Sequence, residues 1–102
     1  MSSRDRWKRQ ERETAAILGG ERQPCTGGPH ADVLFPGFVV ECKTRKELPA
    51  WLTGGIRQAE AQATQGETAA VVLTEVRQGV KAKRYVLMRL EDFADWHGGR
   101  IP

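Results

Sequence analysis

The strongest structural signal in the chain lies in residues 29–43, whose sequence is PHADVLFPGFVVECK. Two runs rich in β-branched and aromatic residues, 32–35 and 38–43, flank the pair Pro36-Gly37. Such runs are typical of strands, and Pro-Gly is typical of the turn that joins two strands. The stretch therefore predicts a β-hairpin.

The register of this hairpin determines which side chains share a face. If the strands pair symmetrically about the turn, Phe35 lies opposite Phe38 and Asp32 lies opposite Glu41. Directly opposed residues in an antiparallel pair have Cβ atoms about 4.5–5.5 Å apart. A four-residue loop keeps this pairing, whereas a three-residue loop shifts it by one and places the two acids on opposite faces. Lys43 follows Glu41 by two positions and is expected on the same face.

Two carboxylates held side by side repel each other and weaken the sheet. A shared proton or a bound cation relieves this repulsion, and carboxylate oxygens are ligands that suit Mg²⁺ or Mn²⁺. A neighbouring lysine adds positive charge that can face a phosphate. The pair Asp32 and Glu41 with Lys43 therefore predicts the site of a metal-dependent phosphodiesterase.

Length and composition indicate one globular domain over residues 1–102. The chain is 39% hydrophobic and 28% charged, which suits a folded protein, and it carries a formal net charge of +3, which is compatible with a nucleic-acid partner. No run approaches the roughly 18–20 apolar residues of a membrane span, and the basic start does not lead into a secretory signal. We expect a cytoplasmic protein without membrane association.

The two cysteines, Cys25 and Cys42, do not form a Cys-x-x-Cys pair and are expected to be free thiols. A structural zinc site with His30 and His97 is conceivable, but the spacing matches no zinc pattern. Cys42 alternates away from its charged neighbours along the strand, which favours a small, packed residue.

Residues 3–18 predict the first helix, which Gly19-Gly20 ends. On a helical wheel one stripe spans about 80° and contains a glutamate among its members, which are Trp7, Glu11, Thr14, Ala15 and Leu18. A glutamate in an inward stripe is unfavourable unless it has a partner. Glu11 either faces the same polar site as Asp32 and Glu41, or it reaches water or a nearby arginine.

The remaining elements complete an α/β chain with the order α-β-β-β-α-β-β-α. The nearly continuous apolar run 68–74 predicts a central strand covered on both faces and parallel to the 38–44 strand, because a helix connects them. The sequence thus predicts a mixed sheet of about four to five strands flanked by helices. The other predicted elements are an edge strand at 21–25, a helix at 51–65, a strand at 84–88 and a helix at 91–96.

These features together resemble the PD-(D/E)XK nuclease superfamily, and most closely the archaeal-type Holliday junction resolvases. The resemblance rests on a helix-1 glutamate, Asp-x8-Glu-x-Lys across a hairpin, and a crossover helix that bears glutamines. The matching segments are 10–13 (QERE), 26–29 (TGGP) and 40–44 (VECKT), within a span of roughly 8–75. One difference is that His30-Ala31 separates Pro29 from Asp32, where the family has proline directly before the aspartate.

The resemblance implies a restriction-endonuclease-like fold, a Mg²⁺ or Mn²⁺ cofactor, and a homodimer that cuts opposed strands of a four-way DNA junction. It implies that the metal ligands are Asp32, Glu41, the Cys42 main-chain carbonyl and Glu11. Lys43 would be the catalytic lysine, and Gln58 would be the helix glutamine near the site, although a row of glutamines is also typical of a solvated helix edge.

Several residues are expected to contact DNA, mainly through backbone phosphates; they are Arg4, Arg6, Arg9, Arg12, Arg22, Thr26, His30, Arg45 and Lys46. Three alternatives remain. The chain could be another nuclease of the superfamily (nicking, repair or restriction type), a DNA-binding module without catalysis, or an interaction domain whose acids are ordinary surface residues. The expected dimer surface is residues 85–96, which are rich in aromatic side chains.

Overall fold

The computed structural model of the protein describes residues 3–23 and 31–98. The predicted order of elements and the mixed α/β class are confirmed. None of the helices in these two ranges is long and apolar enough to cross a bilayer. The elements are α1 (Ser3–Leu18), β1 (Glu21–Arg22), β2 (Val33–Phe35), β3 (Phe38–Val40), α2 (Ala50–Gln62), β4 (Val71–Glu75), β5 (Lys83–Leu87) and α3 (Leu90–Gly98).

Helix α1 ends in a Schellman motif, as its two glycines indicate. The Gly19 N–H donates to the Ala16 carbonyl at 3.3 Å, and the Gly20 N–H donates to the Ala15 carbonyl at 2.9 Å. Gly19 has φ +74°, a conformation that glycine adopts at low cost. A Cβ atom on Gly20 would lie 2.2 Å from the Leu34 carbonyl oxygen. The second glycine therefore permits the close approach of the helix end to strand β2.

The inward stripe of α1 packs on β1, β2 and α3. Glu11 and Ala15 are buried, and Thr14 and Leu18 are partly buried, so most of the predicted stripe is confirmed. Trp7, its first member, differs because 38% of the residue is exposed.

Strands β1, β2 and β3 form an antiparallel sheet in that order. Val33 pairs with Val40 and Phe35 pairs with Phe38, which is the predicted register. The ladder ends one pair earlier than expected, because the Asp32 N–H donates to the Val40 carbonyl at 2.9 Å. Asp32 and Glu41 therefore do not continue the ladder as a directly opposed pair, and β3 ends at Val40 rather than at residue 43.

Strands β4 and β5 form a second antiparallel sheet. The predicted parallel pairing of β3 with β4 in one mixed sheet is wrong for the described residues. Strand β3 already ends at Val40, and the Cys42 N–H that follows it donates to the Asp32 carboxylate rather than to a neighbouring strand. Strand β4 is also not covered on both faces, since Val72 and its cross-strand partner Val86 are exposed.

Two rings of helix α3 pack against two rings of the hairpin. The His97 ring centroid lies 5.0 Å from that of Phe35 and 5.7 Å from that of Phe38, and Phe93 lies 5.5 Å from Phe38. Phe93 is therefore part of this cluster rather than of the expected dimer surface. Clusters of this kind add about 0.5–1.5 kcal/mol per aromatic pair beyond their burial.

Helix α2 packs on β4, where Gly55 faces Val71. An ion pair links α2 to the segment before α3, since the Arg89 guanidinium donates to both carboxylate oxygens of Glu60.

Candidate functional site

The site begins where the hairpin ladder ends. The Cys42 N–H donates to Oδ2 of Asp32 at 2.7 Å. The aspartate side chain therefore replaces a backbone acceptor, and it holds the chain after β3 against the start of β2. A partly buried carboxylate is fixed at this end of the hairpin as a result.

The pKa of the Cys42 thiol depends on the groups that surround this point. Burial raises the pKa of the Cys42 thiol, and the negative charges of Asp32, Glu11 and Glu41 raise that pKa further, while a hydrogen bond with Thr14 lowers it. Of these three carboxylates, Asp32 is the one in direct contact with this residue, through the hydrogen bond from the Cys42 N–H. Glu11 lies on α1, and Glu41 precedes Cys42 in the chain.

Glu11 is buried, with 2% of the residue exposed, and it has an arginine partner. The Nε–H of Arg22 donates to Oε1 of Glu11 at 2.8 Å, and Arg22 is itself largely covered. This confirms the alternative in which Glu11 pairs with a nearby arginine. The sequence predicted that Arg22 contacts a DNA phosphate, whereas its guanidinium faces inward and pairs with Glu11.

Glu41 and Lys43 share a face, as their spacing predicts, and both point to solvent. Their side chains are 57% and 74% exposed, and Nζ of Lys43 lies 4.0 Å from Oε2 of Glu41. Cys42, which lies between them in sequence, is partly buried. The lysine therefore stands beside the acidic group and remains accessible to a ligand.

The donor atoms at the hairpin end are hard oxygens, which are the ligands that Mg²⁺ and Mn²⁺ take. Within residues 3–23 and 31–98, no three His, Cys, Asp or Glu side chains lie close enough to hold a metal ion as they stand. Glu11 is engaged with Arg22, and Glu41 extends into solvent. Asp32, Glu41 and the Cys42 carbonyl carry oxygen atoms of the kind that such an ion takes, and Asp32 Oδ2 also accepts the hydrogen bond from the Cys42 N–H.

Other predicted site residues are not brought to this point. Gln58 is exposed on α2, and α2 packs on β4 rather than on the hairpin. Arg12 is exposed on α1. The side chain of Arg4, and all of Cys25, Thr26 and His30, lie outside the described part of the chain.

Four of the predicted DNA contacts lie together in one cleft, which we call the cationic cleft. It has a volume of about 520 Å³ and separates α1 from the segment that follows Lys43. Arg9 also pairs with Glu13, with Nε 3.0 Å from Oε1. Nothing in the sequence pattern marks Trp7 as part of a ligand-binding surface, because its position in the stripe predicts a core residue. The cleft is lined by Arg6, Trp7, Arg9, Gln10, Thr44, Arg45 and Lys46.

No family model, curated protein or solved structure matches the chain. Its residues and their geometry are therefore the basis for assigning a function.

Proposed function

We propose that the chain is a Mg²⁺- or Mn²⁺-dependent DNA endonuclease of the PD-(D/E)XK type, with a restriction-endonuclease-like fold. The observation that carries this proposal is the Asp32 carboxylate, held at the end of the hairpin by the Cys42 N–H, with Glu41 and Lys43 exposed at the two positions beside Cys42. Carboxylate oxygens are ligands that suit a divalent ion, and a neighbouring lysine suits a phosphate. The adjacent lysine and the cationic cleft supply the positive charge that a polyanionic substrate requires.

Each residue at the hairpin end has a distinct role in this proposal. Asp32, Glu41 and the Cys42 carbonyl would hold the divalent ion. When bound, such an ion supplies a more acidic water and positive charge against the phosphate oxygens. Lys43 orients the attacking water, or stabilises negative charge as it develops on the phosphate. Glu11 and its partner Arg22 influence the electrostatic potential at Asp32 from the buried side of helix α1.

Binding to DNA would come mainly from the cationic cleft. Arginine and lysine contacts to phosphates give affinity without sequence preference, and they make that affinity depend on salt. A branched substrate, such as a four-way junction, is the form that the resemblance favours. Because the cleft adjoins Lys43 through Thr44, a strand bound there would pass beside the acids.

Cutting two opposed strands of a junction requires two sites related by a two-fold axis, which a symmetric homodimer provides. The chain has apolar side chains available for such an interface, since Tyr85 and Trp96, within the expected surface of residues 85–96, are both more than half exposed. Sedimentation equilibrium at micromolar concentration checks this part. A mass near 11.4 kDa for the free protein, with one protein bound per DNA junction, would contradict a dimer and favour a nicking or repair nuclease.

A second candidate function is DNA binding without catalysis. The buried pair of Glu11 with Arg22 favours it, because an acid that is neutralised by arginine has less need of a metal ion. In that case the cationic cleft would still bind DNA, while Asp32 would serve only to close the hairpin.

The two candidates separate in one experiment. Labelled four-way junction, duplex and single strand are incubated with the wild-type protein and Mg²⁺ or EDTA, and then with Asp32→Asn, Glu41→Gln and the control Glu13→Gln. A nuclease predicts Mg²⁺-dependent cleavage that the first two variants lose while DNA binding remains. Binding without cleavage in the wild type would favour the second candidate, and a cleaving Asp32→Asn variant would exclude that carboxylate from the mechanism.

A further inference from the structure

Trp7 lies in an unusual position for a tryptophan on the inward stripe of a helix. It precedes the buried Glu11 by one turn, yet 38% of it is exposed, and the space in front of it is the cationic cleft. An exposed tryptophan is not itself evidence of binding, because single exposed apolar residues are common. What distinguishes this one is that four basic side chains surround the same cleft.

An aromatic ring among basic side chains is suited to one chemical class of ligand. Proteins that bind single-stranded nucleic acid combine a positively charged groove, which follows the phosphates, with aromatic rings on which the bases stack. A duplex offers the same phosphates, but its bases are stacked on one another and cannot cover a protein ring. The two components of the cleft therefore favour an unpaired strand over a duplex.

We infer that the cationic cleft binds an unpaired segment of DNA, with a base stacked on Trp7 and the adjoining phosphates on Arg6, Arg9, Arg45 and Lys46. This deepens the proposed function and depends on it in one respect, namely that the bound strand is the one presented to the acids. Its substrate would thus be DNA with an unpaired segment beside the cut, such as an opened junction or a flap.

The charges in the cleft support this occupant. Four of the seven residues that line the cleft are basic and none of the seven is acidic, although Arg9 also pairs with Glu13 at 3.0 Å. With one ring and a volume of about 520 Å³, the cleft has room for only a few nucleotides. It therefore suits a short unpaired segment.

The inference is tested by binding in EDTA, where no strand is cleaved. A labelled 12-nucleotide oligothymidylate and a duplex of equal length are titrated with wild type, Trp7→Leu, Trp7→Phe and the control Trp51→Leu, whose tryptophan is 70% exposed on α2. Loss of one stacked base weakens single-strand binding by about tenfold. We expect that loss for Trp7→Leu on the single strand, with less than about twofold on the duplex, and near-normal binding by the other two variants. Equal losses on both ligands, or no loss, would overturn the inference.

A second measurement keeps Trp7 in place. In the variant Trp51→Phe/Trp96→Phe, Trp7 is the remaining tryptophan of the three in the sequence. Stacking with a base should quench its fluorescence when the oligothymidylate is added, and the duplex should quench it far less. The absence of quenching at saturating single strand would contradict the inference. Neither measurement involves cleavage, so a failed nuclease assay and a failed stacking assay are separate outcomes.

Discussion

Arg22 donates from Nε to Oε1 of Glu11 at 2.8 Å, and the two side chains join strand β1 to the buried face of helix α1. The same helix carries a second pair of the same chemistry, Arg9 with Glu13 at 3.0 Å, on its exposed side. The Nε–Oε1 distances are similar, but the first pair is largely buried and joins two elements, whereas the second is exposed and lies within one helix. Comparing them shows what a buried link between elements contributes beyond an exposed pair.

Removing the arginine from each pair should affect stability very differently. Arg22→Met would leave the Glu11 carboxylate buried without a partner, and we expect a loss of about 3 kcal/mol in the free energy of unfolding. Arg9→Met removes an exposed pair and should change it by less than about 1 kcal/mol. Urea unfolding of both variants at neutral pH measures the difference. Similar losses would mean that Glu11 gains little from Arg22.

The glutamates of the same two pairs should differ in activity. Glu11→Gln is expected to reduce Mg²⁺-dependent cleavage far more than Glu13→Gln does, because Glu11 is buried on the inward stripe and paired with Arg22, whereas Glu13 lies on the exposed side. Cleavage rates at saturating DNA are the measurement, and near-ultraviolet circular dichroism verifies that both variants keep the native packing. Equal rates would contradict the role assigned to the inward stripe.

How far the sequence determines these features depends on the range of the interactions involved. The bounds of α1 were predictable because the glycines and the apolar period are local signals, and the Phe35–Phe38 pairing followed from the turn. The end of β3 was not, because it depends on a side-chain bond from Asp32 to the Cys42 amide. The same holds for Arg22, whose ion pair with Glu11 joins two residues eleven positions apart on different elements.

The candidate site shows the same division. Its acids and lysine were found from spacing along one hairpin, whereas the cationic cleft combines α1 with a segment more than thirty positions further along the chain. Basic residues at 6, 9, 45 and 46 were each recognisable as DNA contacts, but their shared cleft was not. The exposure of Trp7 could have been predicted only by comparing the length of the apolar stripe of α1 with the length of the sheet on which it packs.

Lys43 and Lys46, which are three positions apart, should affect different steps of the reaction. Lys43→Ala is expected to lower the cleavage rate at saturating DNA by about 100-fold, with little change in affinity, because Lys43 stands beside Glu41. Lys46→Ala removes a cleft cation, so it should weaken binding and reduce the slope of log affinity against log salt by about 0.7–0.9. Rates and salt titrations on the same DNA check both. If the two variants behave alike, Lys43 is only another phosphate contact.

The pair of Glu60 with Arg89 predicts a pH dependence of stability. The hydrogen bond and charge of Arg89 hold the pKa of the Glu60 carboxyl below its ordinary value of 4.5. A lowered pKa in the folded state means that the stabilisation is present above the ordinary value and is lost as pH falls through the folded-state value. Glu60→Gln should therefore be less stable than wild type at pH 7, and the difference should shrink as the pH falls below about 4.5.

Chemical unfolding at several pH values measures this difference between Glu60→Gln and wild type. Glu13→Gln is the matched control, because the ion pair of Glu13 with Arg9 lies within helix α1 and does not join separate elements. A difference for Glu60→Gln that stays constant from pH 7 to pH 3 would show that the pair contributes no pH-dependent stability.

The final prediction uses Cys42 to measure the acids around it. Burial raises the pKa of this thiol first, and the charges of Asp32, Glu11 and Glu41 raise it further. Asp32→Asn should therefore lower the thiol pKa part of the way toward its ordinary value of 9.0, because one negative charge is removed while burial remains. Glu13→Gln, on the exposed side of α1, should leave it unchanged. The pH dependence of iodoacetamide alkylation in a Cys25→Ser background gives the midpoint. An unchanged midpoint in Asp32→Asn would mean that the carboxylate does not act on the thiol, and that the acids do not converge at the end of the hairpin.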